Sequence, residues 1–180
     1  MVVISYNHSF TPIEIDTIRK AFYSIPLPPI IPDASVCFDG AGPYVVDSPG
    51  FPPESTYYQV YAQHIISAKS QPPAYNLSLN GSATSNTGNL NLKILPADTL
   101  IRSSVFAFVA ICEDSVSGMT KDFNYVIRKL FSFPVNLVYP DSLDTVITFQ
   151  HSLPQNKMTG VLFLQDMNTK KVLQAIKTKF

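Results

Sequence analysis

The spacing of hydrophobic and polar positions changes near residue 73 of this chain. Upstream, Ile15 and Ile18 belong to a set of apolar residues that recur at the interval of a helix face. Downstream, apolar and polar residues alternate over 75–79 and again over 90–94, which is the pattern of strands with one buried face. The change of period predicts a short α/β segment followed by an all-β domain, and therefore an α+β chain.

The upstream segment begins with a β-branched run over 2–6, which predicts a first strand. A helix is expected next, because Thr11 can cap it, Pro12 suits its first position and Glu14 completes a capping box. The proline-rich stretch at 25–29 must end this helix, since proline lacks the backbone donor and clashes with the preceding turn.

A second strand and a second helix are predicted before the change of period. Residues 35–38 form the expected strand, and Asp39-Gly40 the turn that closes it. A loop rich in proline and glycine is expected to run to about Pro53. The second helix fits residues 55–70, and the pair Pro72-Pro73 stops it.

The remaining chain predicts an all-β sandwich, immunoglobulin-like or jelly-roll-like, over residues 74–180. Turns are expected at Asn80-Gly81 and Thr87-Gly88, and the last two strands are expected to form a hairpin across residues 166–169. Residues 1–73 form the other predicted domain. The expected strands lie at 75–79, 90–94, 104–113, 123–131, 135–139, 143–151, 161–165 and 171–176.

Composition and charge argue against several functional classes. The chain has 13 basic and 13 acidic residues and a formal net charge of zero. Its basic pairs Arg19-Lys20, Arg128-Lys129 and Lys170-Lys171 are scattered and are expected to be solvated surface. A nucleic-acid partner is therefore not expected, because such a protein needs a basic face that neutralises phosphates.

The longest apolar run, residues 105–112, is much shorter than the roughly 20 residues that a membrane helix needs. No transmembrane segment is expected, and the run predicts a central strand that is buried on both faces. The first residues lack a basic flank and a cleavage site, so they do not predict a signal peptide.

No catalytic, metal or cofactor site is expected from the residue patterns. Cys37 and Cys112 form no C-x-x-C motif, and each lies in an apolar run that predicts a buried thiol. The histidines His8, His64 and His151 have no metal-ligand spacing. We keep His8 as a candidate, because it ends the first strand, where α/β folds place functional loops.

Other acidic and serine-based sites have no support. The neighbours Glu113 and Asp114 are expected to mark a strand end that turns into solvent, since the spacing of a calcium loop is absent. No G-x-S-x-G sequence provides a nucleophile elbow.

Two sets of residues resemble a known family. The order of elements around Ile31-Pro32 and the strand to Gly40 resembles the second half of a thioredoxin fold, in which a proline in cis precedes such a strand. Residues 124–129, 161–166 and 169–175 resemble the C-terminal region of a family of outer-membrane-associated, thioredoxin-like bacterial proteins. Pro32 is the position that matches the family's cis proline. The chain departs from that family because it holds neither the C-x-x-C nor the strand–helix–strand unit before it.

The resemblance implies a place in the cell envelope, in the periplasm or at the outer-membrane surface, if an export signal lies upstream. It favours a non-enzymatic interaction or structural module, with a protein partner or with self-association through the edge of the first strand. The alternative is a fragment of a thiol–disulfide oxidoreductase, in which Pro32 borders the substrate groove and His8 lies nearby. A third hypothesis, a small-ligand carrier, rests on Tyr57, Tyr58 and Tyr61.

Overall fold

The computed structural model describes residues 11–23, 35–38, 41–45, 54–117 and 122–180. In these ranges it has two α-helices, α1 (Ile13–Phe22) and α2 (Glu54–Ser70), and a short 3₁₀ turn, Gln155–Lys157. The strands are β1 (Ser35–Phe38), β2 (Ala41–Val45), β3 (Tyr75–Ala83), β4 (Thr87–Pro96), β5 (Val105–Glu113), β6 (Val116–Ser117), β7 (Asp122–Phe123), β8 (Val126–Pro134), β9 (Leu143–Gln150), β10 (Met158–Asp166) and β11 (Val172–Lys179).

Two antiparallel sheets pack face to face around the main hydrophobic core. One has four strands in the order β11–β10–β5–β8, and the other has three in the order β3–β4–β9. The core is filled from both sheets, as alternating strand residues require. Its largest fully buried members include Leu90, Leu92, Ile111, Met158 and Leu162. This arrangement agrees with the predicted sandwich.

Strand β5 is buried on both faces, as its apolar run predicts. Ala107, Val109 and Ile111 point into the core between the sheets. The residues that alternate with them belong to a second apolar cluster on the opposite face, against which Ile15 of α1 packs. That cluster consists of Phe108, Ala110, Cys112, Ile127, Val161 and Phe163. The described part of the chain therefore has three layers, with α1 outside the four-stranded sheet.

The two sheets meet at the edge strands β3 and β11. A Cβ on Gly81 of β3 would lie 3.1 Å from the ring of Phe180 and 3.2 Å from the carbonyl oxygen of Lys179. The Phe180 ring also contacts Phe149 edge to face, with centroids 5.7 Å apart. This corner leaves β8 and β9, which residues 135–142 connect, as the edges on the other side of the sandwich.

The predicted α+β class with a partial thioredoxin-like segment is wrong. The described residues are mostly strand, with two short helices. Residues 41–45, expected in a loop, form β2, which pairs antiparallel with β1 in a separate hairpin. A tight turn can join antiparallel neighbours only, whereas the parallel pairs of an α/β sheet need crossovers. Every strand pair in the described ranges is antiparallel.

Several local predictions also need correction. Pro12, not Thr11, is the N-cap of α1, and no side chain caps it. Asn80-Gly81 lies inside β3, where Gly81 pairs with Leu90, and the chain turns at 84–86 instead. Residues 135–139 form a connection and not a strand. The predicted bounds of α2 and the hairpin across 166–169 agree closely with the structure.

Candidate functional site: the loop end of the sandwich

The two residues singled out from the sequence lie outside the described residues. These are His8 and Pro32, and the first-strand edge at 2–6 lies there too. The side chains of Tyr57, Tyr58 and Tyr61 are likewise outside what the structure describes.

Histidines and acidic residues form no metal site in the part of the chain that the structure describes. His64 lies on α2, and His151 directly follows β9. No group of three or more His, Cys, Asp or Glu side chains within the described ranges could hold a metal ion. Within those same ranges, no helix is both long and apolar enough to cross a membrane.

Cys112 is fully buried between the four-stranded sheet and α1, as predicted for an apolar thiol. Burial, with a smaller contribution from the nearby Asp114 carboxylate, raises its pKa to about 12. A thiol in this state is a poor nucleophile, because the reactive form is the thiolate. The side chain of Cys37 lies outside the described part.

Three connections meet at one end of the sandwich, which we call the loop end. Ile94 near the end of β4 pairs with Leu143 at the start of β9. The start of the β4–β5 connection therefore lies beside the end of the β8–β9 connection. The Val135 N–H donates to the Val105 carbonyl at 2.8 Å. The β10–β11 turn joins them, because the Met167 N–H donates to the Ser104 carbonyl at 2.9 Å.

The loop end exposes four large apolar side chains, which we call the apolar loop tips. Leu100 and Ile101 of the β4–β5 connection are 66% and 78% exposed, and Val138 and Tyr139 of the β8–β9 connection are 46% and 49% exposed. Apolar residues gathered on loops above a rigid scaffold are typical of interaction sites. Sequence reasoning missed them, although the apolar pair Leu100-Ile101 between two predicted strands was the signal available.

The first loop is held in shape by a bidentate ion pair. Both guanidinium Nη atoms of Arg102 donate to the Asp98 carboxylate at 2.7 Å, and the Leu100 N–H donates to the same carboxylate at 2.9 Å. The Arg102 side chain also lies over the Tyr75 ring at 5.6 Å. These hydrogen bonds, that of Arg102 first, lower the pKa of Asp98, so the pair is fully charged at neutral pH. Leu100 and Ile101 are therefore presented on a braced loop.

The opposite end of the sandwich has an open cleft of about 510 Å³ beside His151. Its carboxylate, Glu113, accepts a 2.8 Å hydrogen bond from Arg128 and is neutralised by it. The Nε2 atom of His151 is buried and has no hydrogen-bond partner in the structure, while Nδ1 lies 3.2 Å from the Leu153 carbonyl. The described lining residues provide no paired nucleophile and base.

The predicted solvent-facing strand end at Glu113-Asp114 is in fact a network. The half-buried Asp114 carboxylate accepts hydrogen bonds from Thr159, Lys179 and the Tyr125 N–H. Burial acts to raise its pKa, but these hydrogen bonds outweigh burial and lower it. Asp114 therefore acts as a structural acceptor that joins three segments.

The known proteins to which this chain is similar are solved structures. No protein-family model matches the chain, and no curated protein matches it. HBP35 of Porphyromonas gingivalis is similar, with a TM-score of 0.68 at 7% identity. The likeness covers 93% of this chain and 58% of the HBP35 chain, so this chain spans little more than half of that structure's length.

Two further structures match more loosely. A domain of the outer membrane lipoprotein Omp28 from Porphyromonas gingivalis has a TM-score of 0.43 at 16% identity, over 61% of this chain and 90% of that one. Beta-glucosidase 3B from Thermotoga neapolitana has a TM-score of 0.35 at 12% identity. That likeness covers 59% of this chain and 16% of the beta-glucosidase chain. At 7% identity the likeness to HBP35 shows the fold alone. The thioredoxin-like character stays unconfirmed.

Proposed function

We propose that this chain is a non-enzymatic protein-interaction module of the bacterial cell envelope and that the apolar loop tips are its contact surface. The observation that carries the proposal is the gathering of four exposed apolar side chains on two adjacent connections. Interfaces between proteins are built around such apolar centres with polar rims. The partner of this surface is a protein with a complementary apolar patch.

The brace on the first loop supports the same function. A loop that is already ordered loses less conformational entropy on binding, so more of its contact energy appears as affinity. The Asp98–Arg102 pair holds the loop in one shape and lies beside the exposed Leu100 and Ile101. It also supplies charged groups at the rim of the apolar surface.

The envelope location is supported by the resemblance of the C-terminal strands and, coarsely, by the fold comparisons. In this proposal residues 74–180 are the binding domain, and residues 1–73 form the segment before it. No cofactor takes part. This chain spans 58% of the HBP35 chain, and the proposed function concerns this chain alone.

A non-enzymatic role agrees with the chemistry of the described side chains. Cys112 is buried and its pKa is raised, and among the described residues of the loop end no nucleophile is paired with a base. Nothing in the described residues favours the redox alternative. Robust turnover of a disulfide substrate by the purified full chain, measured as insulin reduction, would contradict the proposal.

Site-specific photocrosslinking in the source cells tests the contact surface. A benzoylphenylalanine probe at Ile101 is expected to give one discrete protein adduct. The matched control carries the same probe at Asn80, an exposed position on β3 away from the loop end. Leu100→Ser together with Val138→Ser should abolish the Ile101 adduct while leaving the thermal midpoint unchanged. Equal adducts from both probe positions, or none from Ile101, would refute the apolar loop tips as the site.

A further inference from the structure

We propose that β9 is a self-association edge, through which two copies of this chain pair their β9 strands antiparallel and join two three-stranded sheets into one. This inference goes beyond the proposed function, because β9 lies along the side of the sandwich and the apolar loop tips lie at its end. Within the described residues, β9 has a strand neighbour, β4, on one side alone.

On the side away from β4, the backbone of β9 presents a regular set of donors and acceptors that have no strand partner among the described residues. The His151 N–H donates to the Asn86 carbonyl at 2.9 Å, which marks a hydrogen-bonded pair at the end of the β4–β9 ladder. Hydrogen-bonded and non-bonded pairs alternate along an antiparallel ladder. The N–H and C=O groups of four residues therefore point away from β4. These residues are Asp144, Val146, Thr148 and Gln150.

The hydrogen bond at the β3–β4 turn confirms this assignment. The Thr84 N–H donates to the Thr87 carbonyl at 2.8 Å, so the backbone of Thr87 faces β3. Thr87 pairs with Gln150 of β9. Because the backbone groups of Thr87 point toward β3, those of Gln150 point away from β4, which agrees with the hydrogen bond of the His151 N–H.

The other edges of the two sandwich sheets carry protective features that β9 lacks. Strand β8 has the exposed Lys129, the exposed Pro134 and a register shift, all of which discourage pairing. Strands β3 and β11 lie against each other at the corner near Gly81. By contrast, residues 143–150 contain no proline, no lysine and no register shift, and Asp144 is their one charged residue.

The composition of β9 is self-complementary in one register. Centring the pair on Ile147 places Val146 opposite Thr148 of the second copy and Asp144 opposite Gln150 of the second copy. Every outward backbone group then has a partner, giving about eight hydrogen bonds. A β-branched pair and a carboxylate–amide pair result, and no two like charges oppose each other.

The same register also buries apolar surface. Val146 is 54% exposed in the single chain, and Ile147 is half-buried at the margin of the main core. The two Ile147 side chains would face each other across a non-bonded pair, where Cα atoms approach to about 4.5 Å. The dimer would therefore continue the core of one copy into the next, which a strand from an unrelated peptide need not do.

Sedimentation velocity of the full chain over a concentration series tests the proposal. The wild type is expected to dimerise, and Val146→Pro to shift the midpoint of association at least about tenfold toward higher concentration. Proline at Val146 removes an outward donor and no bond to β4, so the fold is expected to tolerate it. Ser132→Pro is the matched control, because Ser132 is exposed and its backbone N–H points away from β5, the neighbour of β8.

Amide hydrogen exchange identifies the surface that is used. The amides of Val146 and Thr148 are expected to gain protection with rising concentration in the wild type and in Ser132→Pro. In Val146→Pro, which has no amide hydrogen at position 146, the amide of Thr148 is expected to gain none. A wild type that stays monomeric overturns the proposal. So does a dimer in which these two amides exchange as fast as in the monomer, since that dimer uses another surface.

Discussion

The Arg19 guanidinium of α1 donates a 2.7 Å hydrogen bond to the Gln165 side-chain oxygen of β10, 146 positions away, and both side chains are buried. The Tyr23 hydroxyl accepts hydrogen bonds from both residues at 2.8 Å. The guanidinium also lies 4.4 Å from the centroid of the Phe108 ring. This cluster attaches α1 to the outer face of the four-stranded sheet and combines charge-assisted hydrogen bonds with cation–π contact.

Arg19→Met is expected to destabilise the chain by about 2–3 kcal/mol, because the buried Gln165 amide loses a charged donor and its oxygen is left unsatisfied. Denaturant unfolding followed by fluorescence or circular dichroism measures the change. Ile18→Ala is the control on the same helix, since Ile18 is 67% exposed and should alter stability by less than about 0.5 kcal/mol. Equal effects of the two variants would show that Arg19 does not anchor α1.

The burial of Arg19 is where the sequence-based prediction failed most clearly. The pair Arg19-Lys20 predicts solvated surface, yet Arg19 is 3% exposed. Charge patterns along a chain report local composition, whereas this site depends on β10 residues far away in sequence. The helix face of Ile15 was predictable from its spacing, but the polar contacts beside it were not.

Gly88 allows the Phe149 ring to lie across the β4–β9 ladder. The two residues are direct cross-strand partners, and a Cβ on Gly88 would lie 2.7 Å from Cε2 of the ring. Gly88→Ala is therefore expected to displace a ring that is 5% exposed and to cost about 1–3 kcal/mol. Chemical denaturation checks this. Gly81→Ala, whose nearest atoms lie at 3.1–3.2 Å, should cost less, and the reverse order would contradict the packing described.

These two glycines also show which features of this fold the sequence patterns predict and which they do not. Gly81 and Gly88 each suggested a turn, but both lie within strands, where aromatic rings occupy the space that a side chain would fill. In both cases glycine is required by the packing of an aromatic ring against the strand and not by a turn. The burial of β5 on both faces was predictable, because a strand that is buried on both faces is apolar at nearly every position.

Cys112 is expected to resist alkylation in the folded chain, because burial raises its pKa to about 12. Iodoacetamide at pH 8, followed by peptide mapping, should modify Cys112 only when denaturant is added. The raised pKa also predicts stability that is complete below the unfolded thiol pKa, about 8.5, and that declines as the pH rises toward 12. Rapid labelling of Cys112 under native conditions would contradict its burial.

Asp114 is expected to contribute stability that disappears in acid. Burial opposes ionisation, but the hydrogen bonds from Lys179, Thr159 and the Tyr125 N–H lower the folded pKa. The contribution is therefore complete above the unfolded carboxyl pKa, about 3.9, and is lost as the pH falls through the lower folded value. Asp114→Asn should cost about 1–2 kcal/mol at pH 7 and progressively less below pH 4.

Unfolding free energies of the wild type and Asp114→Asn between pH 2 and pH 7 measure this difference. The control is Asp141→Asn, because the Asp141 side chain is exposed and its replacement should leave the curve of the wild type nearly unchanged. A difference between the wild type and Asp114→Asn that stays constant down to pH 2 would refute the role of the charge. It would leave the shape of the side chain as the feature that joins the ends of β5, β10 and β11.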